Sequence, residues 1–469
     1  MKLEFGINDK PKLKQNIVFA IQQLLAIITA TILVPFLVNL QGTVNLEMDV
    51  AAAIFGAGMG TFVYILFTRR MSPVFLGSSF AFITSMASAT IFGYFGLFMG
   101  VVLAGLVYVV IAIAIHFGGS NWINKLMPPV IIGPTVALIG LGLAGSAISN
   151  VTSANASVKY GSYNLVAIFC AISTLIITII ASVKGKKMAR LIPFIIGIAG
   201  GYVIASIFTV IGIACDVDYL KIINYDALIN NFKDISIDSF IHIPRFTFVE
   251  AFKEITSGEF NFSWADFGSL AMLFVPVAFV VFAEHIADHK NLSSIIGKDL
   301  VTGEPGIKRT LLGDGVGSIA GAFFGGCANT TYGESVACVA ITGNASVSTI
   351  IITALMAIVV SFVSPLVAFI NTIPNCVVGG ICIALYGFIA VSGLKMLKDI
   401  DLGDNKNLFV VSTILVCGIG GLMLDFGQIE IKNVATALIL GIIVNLILNG
   451  KGKKACTCEC EKCEDEKAE

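Results

Sequence analysis

The sequence predicts an all-α, polytopic membrane protein of about fourteen transmembrane segments, and three observations carry that prediction. Of 469 residues, 57% are hydrophobic and only 13% charged, against about 25% charged in a soluble domain. Apolar runs near the ~20 residues that a helix needs to cross a bilayer recur along the whole chain. Most of the basic residues fall between these runs on one side of the count, as cytoplasmic loops require. With no water in the hydrocarbon to satisfy backbone groups, only helices or closed barrels can span it, and runs this long select helices.

Taken in order, spans are expected near 17–37, 50–67, 76–92, 97–117, 130–148 and 165–183, then 192–214, 267–287, 311–324, 334–341, 347–370, 377–394, 408–424 and 434–448. Lys10, Lys12, Lys14, Arg69, Arg70, Lys125 and the basic stretches at 184–190, 290–309, 395–406 and 451–454 all follow an even number of spans. Both termini are therefore expected in the cytoplasm. The resulting organisation is a cytoplasmic N-terminus (1–15), a first transmembrane half (16–215), an extracellular connection (216–263), a second half (264–450) and a Cys-rich acidic tail (451–469). The first apolar run has no small-residue cleavage site and reads as a retained helix. The connection at 216–263 mixes polar residues with Phe and Ile, and is either an ordinary link or the place of an interfacial amphipathic helix. The Ser- and Asn-rich loop at 149–163 falls outside on the same count, and its sequons matter only in a glycosylating host.

A net charge of -1 without a basic stripe argues against nucleic acid as a partner. Most cysteines lie singly in or beside apolar segments, where a thiol is a small hydrophobe. Cys456, Cys458, Cys460 and Cys463 are different: at such short spacing they could bind zinc or copper, or form a reduced, disordered tail. No cofactor is expected.

The chemistry should sit where ionisable residues interrupt apolar runs, because each costs roughly 2.5 to 3.5 kcal/mol to insert. Glu284 ends one such run and Glu334 opens a short one. With His285, Asp288, His289 and Lys290 following at once, Glu284 is either a site acid or a snorkelling acid at the cytoplasmic helix end. The string GGCANTTYGE (325–334) is too polar and Gly-rich to face lipid as a helix, and LGSSFAF (76–82) is a comparable interruption. Irregular backbone at membrane depth must line a cavity, and one break in each half suggests an inverted repeat with its site at the midplane. Half-helices starting near Phe80 and Glu334 would aim free N–H groups at carbonyl oxygens of a ligand. The carboxylates of Glu284 and Glu334 accept only, and so suit N–H donors. A nucleobase edge presents that alternation. Phe80, Tyr332 and Tyr386 either offer flat surfaces to a planar ring or pack in the core. Asp288, at i+4, shares the helix face of Glu284 and is a better candidate for passing a proton than His285 at i+1.

At these residues the chain resembles the nucleobase cation symporter family, which includes uracil permeases, xanthine permeases and nucleobase-ascorbate transporters. The resemblance covers nearly the whole sequence, most strongly at QQLLAIITATILVP (22–35), LGSSFAFI (76–83), FAEHIADH (282–289) and NTTYGE (329–334). NTTYGE looks like the uracil branch. The resemblance implies fourteen spans in two inverted repeats of seven helices, with broken helices near 76–92 and 329–341. It also implies a core and a gate domain, and proton-driven uptake. It places Glu284 and Glu334 on the base, with Ser79, Phe80, Tyr332 and Gly333 beside them and Tyr386 approaching from later helices. Departures from the family pattern are Gln23 for a histidine, Thr29 for a glycine, Asp288 for a histidine, Ser335 for an asparagine and Gly343 for an arginine.

The expected function is proton-coupled import of a nucleobase, uracil before xanthine or guanine, with sodium as the alternative coupling ion. The other expected partners are the lipid bilayer and, in a homodimer, a second copy of the chain. Among rivals, an anion transporter of the sulfate-permease type is disfavoured by two carboxylates in the site, and a channel by its occluded character. An intramembrane enzyme is disfavoured because no Ser-His-Asp set or HExxH motif appears.

Overall fold

The computed structural model describes residues 3–42, 46–119, 122, 126–152, 163–257, 262–426 and 430–449. Helices α1 (Leu13–Gln41) and α2 (Val50–Phe67) are followed by strand β1 (Leu76–Ser78), a 3-10 turn at Phe80–Phe82 and the short α3 (Ile83–Ala89). Next come α4 (Gly93–Gly118), α5 (Pro129–Gly142), α6 (Ala144–Thr152), α7 (Leu165–Lys184), α8 (Lys187–Leu191) and α9 (Pro193–Ala214). Two short helices, α10 (Asp226–Lys233) and α11 (Thr247–Thr256), lead to α12 (Trp264–Ile296) and α13 (Ile307–Gly325). Strand β2 (Asn329–Thr331) opens the run of α14 (Gly333–Thr342), α15 (Val347–Val360), α16 (Ser364–Asn371), α17 (Asn375–Lys395) and α18 (Asn405–Ile419). A small ladder of β3 (Leu424–Asp425) and β4 (Glu430–Ile431) precedes α19 (Asn433–Asn449).

Eight of the described helices are long and apolar enough to cross a membrane. On α7 and α9, Ile180 and Val203 are 51% and 57% exposed, an arrangement that lipid solvates and water does not. Each expected span meets a helix or half-helix, with local corrections. The stretch 347–370 is two helices, because Pro365 cannot continue α15 and disfavours helical backbone before it. The stretch 408–424 stops being helical at Ile419 and ends in β3. The stretch 216–263 holds α10 and α11, which dock on α16 and on α4 with α13, respectively. The cysteine tail and residues 153–162 of the polar loop lie outside the described residues.

The helices pack in two groups. In one, α13 lies along α2 and α4, α15 along α1 and α2, and α12 along α4. In the other, α17 lies along α5, α6 and α7, α9 along α7, and α18 along α5 and α19. Helix α12 touches both, meeting α5 and α19 on its far side. Lipid gives no hydrophobic drive for helices to associate, so close backbone approach through small residues replaces it. Between α2 and α13 that approach is extreme: a Cβ on Gly56 would lie 2.4 Å from Gly321 O, and one on Gly60 2.6 Å from Gly317 O.

Candidate substrate site

The two interruptions meet. Strands β1 and β2 pair antiparallel, Leu76 opposite Thr331, Gly77 opposite Thr330 and Ser78 opposite Asn329. Ser79 N donates to Ala328 O at 2.8 Å, and Tyr332 N donates to Phe75 O at 3.3 Å. Backbone that leaves the helical ladder at this depth thus satisfies itself across the pair. The ring of Tyr332 fills the space beside Gly77, where a Cβ would sit 2.2 Å from Tyr332 Cε2, and its hydroxyl donates to Ser78 O at 2.8 Å. Each strand then runs into a helical start: β1 into the 3-10 turn after Ser79, and β2 into α14 after Tyr332. Neither start has an N-cap side chain bonded to it, and the first N–H groups of a helix have no intrahelical partner.

A cavity of about 340 Å³ opens beside these ends, lined by Glu284, Asp288, Gly333 and Glu334 from the first group and by Leu385, Ile389 and Met396 from the second. It continues into a recess of about 50 Å³ whose walls include Ser79, Phe80, Thr330, Tyr332, Glu284 and Glu334. Gly333 lies beside Asp288: a Cβ there would be in ordinary contact with Asp288 Oδ1, at 3.7 Å. Asp288 Oδ2 accepts from Thr331 Oγ1 at 2.9 Å. Ser79 Oγ is buried and has no hydrogen-bond partner among the described residues.

Ser79, Phe80, Glu284, Tyr332, Gly333 and Glu334 are thus brought to one recess, with Asp288 in the cavity beside it. Tyr386 lines neither space; its ring meets Phe80 edge-on at 6.3 Å, joining the two helix groups. His285 is fully buried behind the site. Its Nδ1 lies 2.7 Å from Asp314 Oδ2 and its Nε2 3.1 Å from Thr310 Oγ1. One turn on, His289 Nδ1–H donates to His285 O at 2.8 Å, which leaves Nε2 to accept from Tyr64 Oη at 2.7 Å. Helical periodicity explains the split: Glu284 and Asp288 share one face of α12, His285 and His289 another.

Asp314, wholly buried on α13, is the acid that sequence reasoning missed. The signal was present, an aspartate within LLGDGVGSIAGAFFG, by the same insertion cost that marked Glu284. Two departures from the family pattern prove to be neighbours: Gln23 Nε2 donates to Ser335 Oγ, which also accepts from Phe75 N at 3.0 Å. Gly343 ends α14 with φ +69°, a conformation unfavourable for any residue with a Cβ. Its carbonyl accepts Glu4 N at 2.8 Å.

Residues 14–426 match the family model described as Permease family, Xan_ur_permease. The chain is 38% identical over 458 residues to the uracil permease of Bacillus caldolyticus, covering 96% of this chain and 95% of that protein. It is 32% identical over 446 residues to the uracil permease of Escherichia coli (strain K12), covering 94% and 93%. Among solved structures, the transmembrane domain of the cyanobacterium bicarbonate transporter BicA aligns with a TM-score of 0.58 at 16% identity, over 94% of this chain and 99% of that one. The murine anion transporter Slc26a9, in its inward-facing state, aligns with a TM-score of 0.60 at 11% identity, over 94% and 69%. At those identities the likeness is one of fold. With a sequence match over nearly its full length and a helical architecture that fits it, the chain is a multi-pass membrane transporter that belongs to the Permease family.

Proposed function

We propose that the chain imports uracil across the cytoplasmic membrane by proton symport. The observation that carries this reading is the recess itself, lined by two carboxylates, Glu284 and Glu334, and by the uncapped helical starts at Phe80 and Gly333. Uracil presents N–H donors and C=O acceptors along one edge. The carboxylates take the donors, and the free backbone N–H groups and Ser79 Oγ take the carbonyls. Phe80 and Tyr332 wall the flat ring. Relatives named uracil permease support uracil over a purine. An anion, as carried by the fold relatives, suits the site poorly, because Glu284, Asp288 and Glu334 together oppose negative charge.

Uracil is neutral, so accumulation needs a coupled ion. One proton moved through 100 mV gains about 2.3 kcal/mol, enough for roughly 50-fold accumulation. Asp288 suits the proton: it lines the cavity one helical turn from Glu284 and beside Gly333. The cavity is flanked by Arg190 and Met396, in the basic stretches assigned to the cytoplasm. This conformation is therefore the one that releases base and proton inward.

The test is uptake of radiolabelled uracil into proteoliposomes under an imposed inward proton gradient, with xanthine, guanine and sulfate as competitors. Saturable uptake that collapses with a protonophore and is competed by unlabelled uracil is expected. Uptake driven equally by a sodium gradient at fixed pH would refute proton coupling, and competition by a purine or by sulfate instead of uracil would refute the substrate.

A further inference from the structure

A second cavity, of about 430 Å³, lies apart from the substrate site, at the ends of α2, α4 and α13. Arg69 and Met71 after α2, Ile115 and Gly119 at the end of α4, and residues 301–309 leading into α13 form its walls. Three cations line it, Arg69, Lys308 and Arg309, beside one acid, Glu304. Among the described residues, the Arg69 and Arg309 side chains make no hydrogen bond or ion pair, and Lys308 Nζ has only His116 Nδ1, at 3.4 Å. The other acid of that loop, Asp299, is taken up locally, its Oδ1 accepting from Val301 N at 2.8 Å and Thr302 N at 3.0 Å.

Two guanidinium groups without a partner and an ammonium bonded only to an imidazole line one cavity, and like charges gathered there repel unless an anion joins them. The backbone at Arg69 and Arg70 adds to it. Both have left-handed conformations, φ 52° and 58°, which glycine adopts without penalty and arginine does not. The turn nevertheless carries two guanidinium groups. Guanidinium forks match the oxygen spacing of a phosphate in a way that chloride or a carbonyl does not. The last turn of α4, whose Ile115 lines the cavity, also carries Phe117, 83% exposed.

We propose that this cavity binds a phosphate-bearing anion, with the phosphate held between the guanidinium groups of Arg69 and Arg309 and the ammonium of Lys308. The anion comes either from a lipid headgroup or from a soluble phosphate. In either case it ties together the ends of α2, α4 and α13, of which α2 and α13 pack against β1 and β2, and so steadies the frame of the substrate site from outside it. The proposal does not depend on which substrate the chain carries.

The full-length protein is purified in a neutral detergent and its thermal unfolding midpoint is followed during titration. The probes are inorganic phosphate, with potassium chloride at matched ionic strength as control, and dioctanoyl phosphatidylglycerol, with dioctanoyl phosphatidylcholine as control. A saturable rise over the matched control is expected, with the half-saturating concentration about tenfold higher in Arg309→Gln and again in Arg69→Gln. Lys398→Gln and Lys406→Gln, in another basic loop, leave it unchanged. A rise with phosphate alone assigns a soluble ligand, a rise with phosphatidylglycerol alone assigns a lipid, and a rise with both assigns the shared phosphate. Should the arginine variants fail to fold, Lys308→Gln gives the same readout with a smaller change to the chain. No rise over the controls, or an unchanged half-saturating concentration in the folded variants, overturns the proposal.

Discussion

Replacing Glu334 by Gln removes one charge and one acceptor while keeping the side chain's volume. Glu334 sits in the first turn of α14, an uncapped helical start, and lines the recess together with Glu284. If its carboxylate accepts a uracil N–H, the bond is charge-assisted and contributes about 1.5 to 3 kcal/mol. The Gln amide accepts more weakly, and in its other orientation it presents a donor to a donor. The carboxylate also stabilises the helix start by about 0.3 to 1 kcal/mol, an effect that appears in stability and not in affinity. Equilibrium binding of radiolabelled uracil to the purified variant should therefore weaken by roughly 10- to 150-fold, with a thermal midpoint close to that of the parent. Affinity within about threefold of the parent, in a protein that unfolds normally, would show that Glu334 does not bind the base.

Asp288→Asn retains an acceptor for Thr331 Oγ1, now 2.9 Å from the carboxylate, but cannot take up a proton. Binding of uracil should stay within about threefold while gradient-driven accumulation is lost; accumulation at the parental level would remove Asp288 from the coupling. Gly77→Ala puts a Cβ 2.2 Å from the Tyr332 ring, which is anchored through its hydroxyl to Ser78 O. It should destabilise the protein by about 1 to 3 kcal/mol and weaken uracil binding as β1 separates from β2; an unchanged midpoint would contradict the packing. Burial pushes the Asp49 carboxyl up, but His242 Nε2 at 3.3 Å and the N–H groups of Arg245 at 2.7 Å and Ala51 at 2.9 Å outweigh it and hold it below the usual range. A lowered value means that the contribution is present above the unfolded pKa of about 3.9 and is lost as pH falls through the folded one. Asp49→Asn should cost about 1 to 3 kcal/mol at neutral pH, with the gap to the parent narrowing below about pH 4, as read by thermal unfolding.

What was legible and what was not divides along the range of the interactions. Glu284 and Glu334 stood out because a charge inside an apolar run is expensive wherever it points, and NTTYGE because a polar, Gly-bearing string cannot face lipid as a helix. Asp288 was separable from His285 because helical spacing fixes which residues share a face. Asp314 carried the same signal as Glu284 and escaped only because its span is short and rich in glycine. Tyr386 is a different case: an aromatic in an apolar helix has no local mark of its neighbours, and the structure sets it against Phe80, outside the cavity. The pairing of Gln23 with Ser335 was invisible for the same reason, since 312 residues separate the two along the chain.

By itself the sequence determined the solvent, most of the helices and the two places where polar backbone must break them, since each follows from burial and hydrogen-bond costs along a single stretch of chain. Only the tertiary structure decided that the two breaks face each other, that Tyr332 closes over Gly77 from a carbonyl bond 254 residues away along the chain, and that Glu284 and Glu334 share a recess. Periodicity fixes which face of a helix is special but not which partner will cover it. That choice rests on the close fit of small residues between α2 and α13 and on the register of β1 with β2, both of which exist only once distant segments have packed.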